Sequence, residues 1–542
     1  MKRQPLRAIL FCASACAVAA FLTAVAPAGA QDHGTNAVQP LAVPPAAAQT
    51  RAEFLKATDE VLGQMSVILH LPPKGNLKKS IRTRDEIRQS LLKDYNDEKE
   101  KDGRLADELV SKKLGLVPEG LDWDPFLIDL LTEQVAGLYE PKEHEFYIAD
   151  WIEPADQREV MAHELTHALQ DEHFAIEKWA DAAKPNDDAE FARHAVLEGS
   201  AFAAMIDWQY RDRGMSVKDL PDLSALLNPD AMTGGEKDAK FDAAPRFIRE
   251  VLLFPYLDGA VFAQKLLRQY NGWEGFNQVF QHPPLSTQQI LHPDLYFKGT
   301  VPVAVTLPPL PADPSTQWRK LEQTVGGEFM LLQWMKEFTG SGRAQELAAL
   351  WTGDQYAIYV DKKSEAAAKA AREAAKGADA KSGDNGKSAA APALPPRSLL
   401  VWRIDTGSEA DAARLFGGAS QALQIRYDER SALLRRPNYF EFQTPRGGVY
   451  LRCVGRECLL VDGGDRTLYD AITASLGWSA APAPPPKPGE DVARLTPPAS
   501  RRSPPLPAMS STHTPSLLLQ AAWRLTRLVS ALEAHPGLSR LE

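Results

Sequence analysis

The sequence predicts an α+β protein, mostly helical toward its N-terminal side, with a smaller α+β unit behind it. Three observations carry that reading. Apolar residues recur at helical spacing in Arg51–Leu69, Phe126–Val135, Glu159–Phe174 and Phe247–Tyr270. Short β-rich runs around Pro141, Gly137-Leu138-Tyr139 and Phe146-Tyr147-Ile148, read as a hairpin just before one of those helices. Beyond about residue 305 the texture changes to alternating strands and helices.

Taken in order, the chain begins with Lys2, Arg3 and Arg7, an apolar run from Ala8 to Val25, and Ala28-Gly29-Ala30 before Gln31. That is the pattern of a cleaved signal peptide over residues 1–30. The expected location is therefore exported, periplasmic or secreted. Cys12 and Cys16 lie inside the apolar run, and Ala13-Ser14-Ala15-Cys16 lacks the leucine of a lipidation signal. Residues 31–50 are Ala/Pro-rich and read as a flexible lead. The formal charge is −10, and no basic patch argues for nucleic acid as a partner. After signal cleavage no segment reaches the apolar length of a membrane span.

Residues 51–305 form the first expected domain. Thr83 to Leu92 starts a helix with acidic residues in its first turn. Asp97–Lys113 is so charged that it reads as a solvated helix face. The hairpin leads into Val160–His173, which contains His163-Glu164-Leu165-Thr166-His167. Side chains four apart on a helix lie about 40° apart around the axis, one turn up. His163 and His167 can thus address one zinc ion, and Glu164 can reach a zinc-activated water as general base. Zinc needs a third ligand and an open position for catalysis. Glu198, followed by Gly199, Ser200 and Ala201, is one candidate on a later helix; the small residues would let that helix pack against the metal helix. His173 is the other, but on a continuous helix it points away from the pair, and Gln170 stands where a turn would want glycine. His194, one turn before Glu198, is an alternative ligand or outer neighbour. Asp171 and Asp207 are candidate acceptors for the outer imidazole N–H groups. Phe247–Tyr270 reads as a helix interrupted near Pro255. Ser286 is a plausible N-cap for a short helix, and His292, before Pro293, is a candidate oxyanion donor. Tyr256 and Tyr210 are weaker candidates for that role.

The HExxH helix followed by a glutamate on a later helix resembles the gluzincin branch of zinc metallopeptidases. Leu114–Pro118, Glu133–Tyr139, His163–Phe174, Leu197-Glu198-Gly199 and Pro284–Pro293 further resemble a little-characterised bacterial family of exported zinc proteases. The resemblance covers about residues 50–300 and, more weakly, the chain to about 475. It departs at Gln288, where the family carries Glu. It implies a zincin-like catalytic domain, Zn2+ bound by His163, His167 and Glu198, Glu164 and His292 in catalysis, and a peptide or protein substrate. The hairpin would then supply the edge strand for an extended peptide. The competing reading, from another class, is a non-catalytic zinc-stabilised binding or assembly module of the cell envelope.

Residues 306–478 read as an α+β accessory domain, bounded by Leu310–Pro314. Helices are expected at Thr324–Phe338, Ser408–Leu423 and Thr467–Leu476. Strands are expected at Tyr356–Val360, Leu399–Ile404, Tyr439–Gln443, Val449–Val454 and Cys458–Val461. A low-complexity insertion occupies residues 361–397. Cys453 and Cys458 flank a turn, and export makes a disulfide between them the expectation. Residues 479–542 are a Pro-rich tail with a short amphipathic stretch at Leu517–Leu532.

Overall fold

The structure, a computed structural model, describes residues 47–95, 101–152, 154–227, 239–311, 318–379 and 395–480. The expected signal peptide, nearly all of the N-terminal lead, Gly234-Gly235, most of the second half of the low-complexity insertion and nearly all of the tail lie outside the described residues. The protein is mixed α+β. None of its described helices is long and apolar enough to cross a membrane.

The chain opens with α1 (Ala47–Leu69), whose Phe54, Val61, Met65 and Leu69 are buried at helical spacing. Strand β1 (Lys78–Arg82) follows, then α2 (Arg84–Tyr95). Thr83 and Glu86 cap α2 reciprocally: each side chain accepts the other's backbone N–H, at 3.3 and 2.8 Å. Helix α3 (Lys101–Lys113) corrects the expectation of a solvated face, because Ala106 to Lys113 are all buried. Its charges are compensated locally and at long range. Lys112 pairs with Glu108 at 2.7 Å, and Lys113 reaches Asp462 at 2.8 Å.

Helix α4 (Trp123–Gln134) leads to the expected hairpin, β2 (Gly137–Glu140) and β3 (Glu145–Ala149). A third strand completes the sheet: β1 pairs parallel with β3, giving the order β1-β3-β2. The sequence of β1, Lys-Lys-Ser-Ile-Arg, has no apolar alternation to announce it. Strand β2 is thus an edge. Helix α5 (Pro154–Phe174) runs without a break, with proline at its first position, where no backbone N–H is missed. Helices α6 (Asp187–Tyr210) and α7 (Arg246–Gln269) complete the helical part. Contrary to the expected interruption, α7 continues through Pro255. Burial of Val251 to Leu257 on every side of that turn outweighs the local cost of the proline.

The second part is built on seven antiparallel strands in the order β4-β5-β6-β10-β9-β8-β7. They are β4 (Trp318–Thr324), β5 (Gly353–Asp361), β6 (Ser398–Asp405), β7 (Ser431–Arg436), β8 (Tyr439–Thr444), β9 (Gly447–Val454) and β10 (Glu457–Gly464). Strands β4 and β7 were not legible in the sequence. Helices α8 (Gly327–Thr339), α9 (Lys362–Asp379), α10 (Glu409–Arg426) and α11 (Arg466–Ser475) fill the connections. Ser408 caps α10 by accepting the Asp411 N–H at 3.1 Å. Cys453 and Cys458 stand opposite each other on β9 and β10 and form the expected disulfide.

The pleat of the sheet separates two cores. Along β6, Leu400, Trp402 and Ile404 face one core, and Leu399 and Val401 face the other. The first is continuous with the core of the helical part, from Phe54 in α1 to Leu460 in β10. The second, around Tyr439, Tyr450 and Tyr469, is closed by α11.

Candidate metal centre

Helix α5 buries Val160, Met161, Ala162, Leu165, Ala168 and Leu169. His163 and His167 therefore sit where water cannot solvate them, whereas His173 in the last turn is not buried. His163 Nε2 lies 3.3 Å from His167 Nε2, and the rings meet edge to face at 80°. Glu198, from the middle of α6, points its carboxylate at both. Its Oε2 is 3.1 Å from His163 Nε2 and 3.4 Å from His167 Nε2. Among the described residues these three form a group whose ligand atoms all lie within 4.8 Å of one another.

The donor set fits a zinc ion. Ligands at about 2.0–2.1 Å on tetrahedral zinc stand about 3.3 Å apart, and the measured separations are 3.1, 3.3 and 3.4 Å. Two imidazoles and one carboxylate are also donors of the kind zinc accepts. The Nδ1 atoms of His163 and His167 are buried without a hydrogen-bond partner, so the rings turn their Nε2 atoms, not their Nδ1 atoms, to the shared point.

Charge is concentrated here. Burial pushes His163 below its ordinary pKa. Burial also opposes a charged His167, yet the Glu198 carboxylate beside it lifts that ring above its ordinary value. Burial disfavours an ionised Glu198, but the two imidazoles hold it well below the usual carboxylate range. Glu164, from which burial removes water, is pushed up to about 8. Its Oε2 accepts the backbone N–H of Tyr139 at 2.9 Å. That bond ties the general-base candidate to the edge strand β2. Tyr139 Oη in turn donates to Asp171 Oδ2 at 2.8 Å and lies 2.8 Å from His144 Nδ1.

The residues that follow Glu198 pack against two different helices. Gly199 was expected to let its helix approach the metal helix. Instead it faces α7: a Cβ on Gly199 would stand 2.0 Å from the Gly259 carbonyl carbon. Ser200 is the residue that faces α5, where it accepts from Gln170 Nε2 at 2.9 Å.

The remaining candidates fall elsewhere. His173 Nε2 lies 2.9 Å from the Pro72 carbonyl oxygen, away from the triad. His194 Nε2 is 4.0 Å from Glu190 Oε1. Neither carboxylate proposed as an outer acceptor serves the imidazoles. Asp171 binds Tyr139 and Ile176 N–H, and Asp207 binds Ser216, Val217 and Trp273. Ser286 occupies the expected N-cap without making a cap bond. The neighbouring Thr287 is held by Asp188 instead. His292 Nε2 pairs with Glu328 Oε1 at 2.8 Å. Glu328 follows Gly327, which packs on Asp188. Asp188 lies roughly 15 Å along α6 from Glu198. Tyr210 lies at the other end of α6, roughly 18 Å from Glu198 along the axis. Tyr256, from α7, lies beside the triad, its ring centroid 5.9 Å from that of His163. Gln170 and the Tyr139 N–H escaped sequence reasoning. The Tyr139 N–H faces outward because Ala136 spends its carbonyl on β3, a register that the sequence does not announce.

Comparison with protein-family descriptions, curated proteins and solved structures finds no match to this chain.

Proposed function

We propose that this protein is an exported zinc-dependent metallopeptidase with a zincin-like site. The observation that carries the reading is the convergence of His163, His167 and Glu198 on one point, beside Glu164. His163, His167 and Glu198 would hold the zinc, which would supply Lewis-acid polarisation of a carbonyl and a water nucleophilic near neutral pH. Glu164 is the general base: held through Oε2 by the Tyr139 N–H, it takes a proton from the attacking water and passes it to the leaving amine. Edge strand β2 lies against that base and offers outward main-chain groups to an extended peptide. Tyr256, beside His163, is the donor to the developing oxyanion; His292, engaged by Glu328, is not used in this mechanism. The Cys453–Cys458 disulfide supports an oxidising compartment and so the export reading.

One observation favours the non-catalytic alternative, a zinc-stabilised binding module. The three ligands are only 1 %, 6 % and 2 % exposed, which suits a structural site. The two readings separate on one experiment. The protein from Gln31 onward and its Glu164→Gln variant are loaded with zinc and incubated with a mixed peptide library, and products are read by mass spectrometry. Cleavage by the wild type, reduced at least ~100-fold in the variant at equal zinc content, supports the peptidase. No cleavage by the zinc-loaded wild type supports the binding module.

A further inference from the structure

An imidazole that binds a metal through Nε2 keeps its orientation by donating Nδ1–H to an acceptor. Asp171 and Asp207 are committed to other donors, as described above. Gln170 stands three residues after His167 on α5, a spacing at which helical side chains meet. The residue is 1 % exposed. Its Nε2 donates to Ser200 Oγ at 2.9 Å, and Ser200 Oγ donates to the Leu197 carbonyl at 2.9 Å. That chain fixes the amide. A hydroxyl whose proton is spent on a carbonyl can only accept, so the amide must present its NH2 to Ser200 and keep its C=O on the other side. Gln170 Oε1 and His167 Nδ1 are both buried without a hydrogen-bond partner.

We propose that Gln170 is the positioning residue of His167: its Oε1 accepts Nδ1–H when the ring binds metal, and Ser200 holds the amide in that sense. The proposal rests on the reading of the triad as a metal site. Two consequences follow from the chemistry. A glutamine supplies an acceptor without adding a negative charge beside Glu164 and Glu198. Leu197 and Ser200 also flank Glu198, so the same bridge sets the spacing between the helix that carries two ligands and the helix that carries the third.

The test measures zinc affinity by competition with a chromophoric chelator, with thermal unfolding of the metal-free proteins alongside. Wild type, Gln170→Leu, Gln170→Glu and Ser200→Ala are compared. Gln170→Leu is expected to weaken zinc by about 10- to 100-fold. Gln170→Glu, which keeps an acceptor, is expected to restore most of that loss. Ser200→Ala, which frees the amide to turn, is expected to show a smaller loss. Unchanged zinc affinity in Gln170→Leu, or an equal loss in Gln170→Glu, overturns the proposal. If Gln170→Leu does not fold, unchanged affinity in Ser200→Ala overturns it. A wild type that binds no zinc overturns the metal-site reading itself and the proposal with it, a result distinct from binding that ignores Gln170.

Discussion

Two of the buried carboxylates on helix α6, Asp188 and Glu198, are treated by the protein in opposite ways. Asp188, near the N-terminal end, accepts from the Thr287 backbone N–H and from its hydroxyl, and Gly327 closes over it. Glu198, in the middle, meets only two imidazole nitrogens, whose rings keep their other nitrogens unsatisfied. The first arrangement is that of a structural anchor, because hydrogen-bond donors come to the oxygens from a single short segment. The second leaves three ligand atoms turned toward one another, which is costly for a protein unless a cation completes it. Burial alone does not distinguish the two residues, at 3 % and 2 % exposed; the chemistry of their neighbours does.

This contrast can be broken most forcefully at Glu198. Glu198→Ala should reduce bound zinc, read by elemental mass spectrometry, from about one per chain to near none. Unchanged zinc there, with loss in His173→Ala, would move the third ligand to His173. Gly199→Ala comes next. A Cβ has no room against Gly259, so about 3 kcal/mol of stability should be lost in chemical denaturation, together with zinc affinity. Asp188→Ala should cost about 2 kcal/mol, from the donors left unsatisfied at Thr287, while zinc content stays at the wild-type level. A loss of zinc in that variant would erase the distinction between the two carboxylates.

A subtler consequence concerns pH. Burial raises Asp188 to about 7, so the native state holds its proton more tightly than the unfolded chain does. The stability this contributes is fully present below about pH 4 and is lost as pH rises through about 7. Asp187 and Asp258, also raised by burial, act in the same direction. Denaturation midpoints should therefore fall between pH 5 and 7, about, and fall less steeply in Asp188→Asn. The smallest effect is expected for His292→Ala. It removes a partly exposed pair with Glu328 and should leave peptide cleavage within about threefold of wild type, whereas Tyr256→Phe should lower kcat about 100-fold.

Much of the site was legible because helical periodicity turns sequence spacing into spatial proximity. His163, Glu164 and His167 needed only a continuous helix, and Glu198 needed a second helix packed on the first. What escaped depends on contacts between distant segments. The pairing of Lys113 with Asp462 reverses the reading of α3, whose charges would otherwise belong in water. Strand β1 is polar and becomes a strand because β3 offers it a parallel partner. The division at residues 305–306 marks a change of texture, yet one apolar core runs across it. The role of Gln170 was hidden for a simpler reason: in the sequence it marks only the absence of a glycine.

The contact between Gly199 and Gly259 bears on how this protein tolerates variation. The two helices touch main chain to main chain, so even one methyl group at Gly259 would collide with the Ala195 carbonyl, a turn before Glu198. A genome survey that checks only the histidines and glutamates would pass such a variant as intact. The vulnerable position lies outside every motif, on a helix that supplies no ligand.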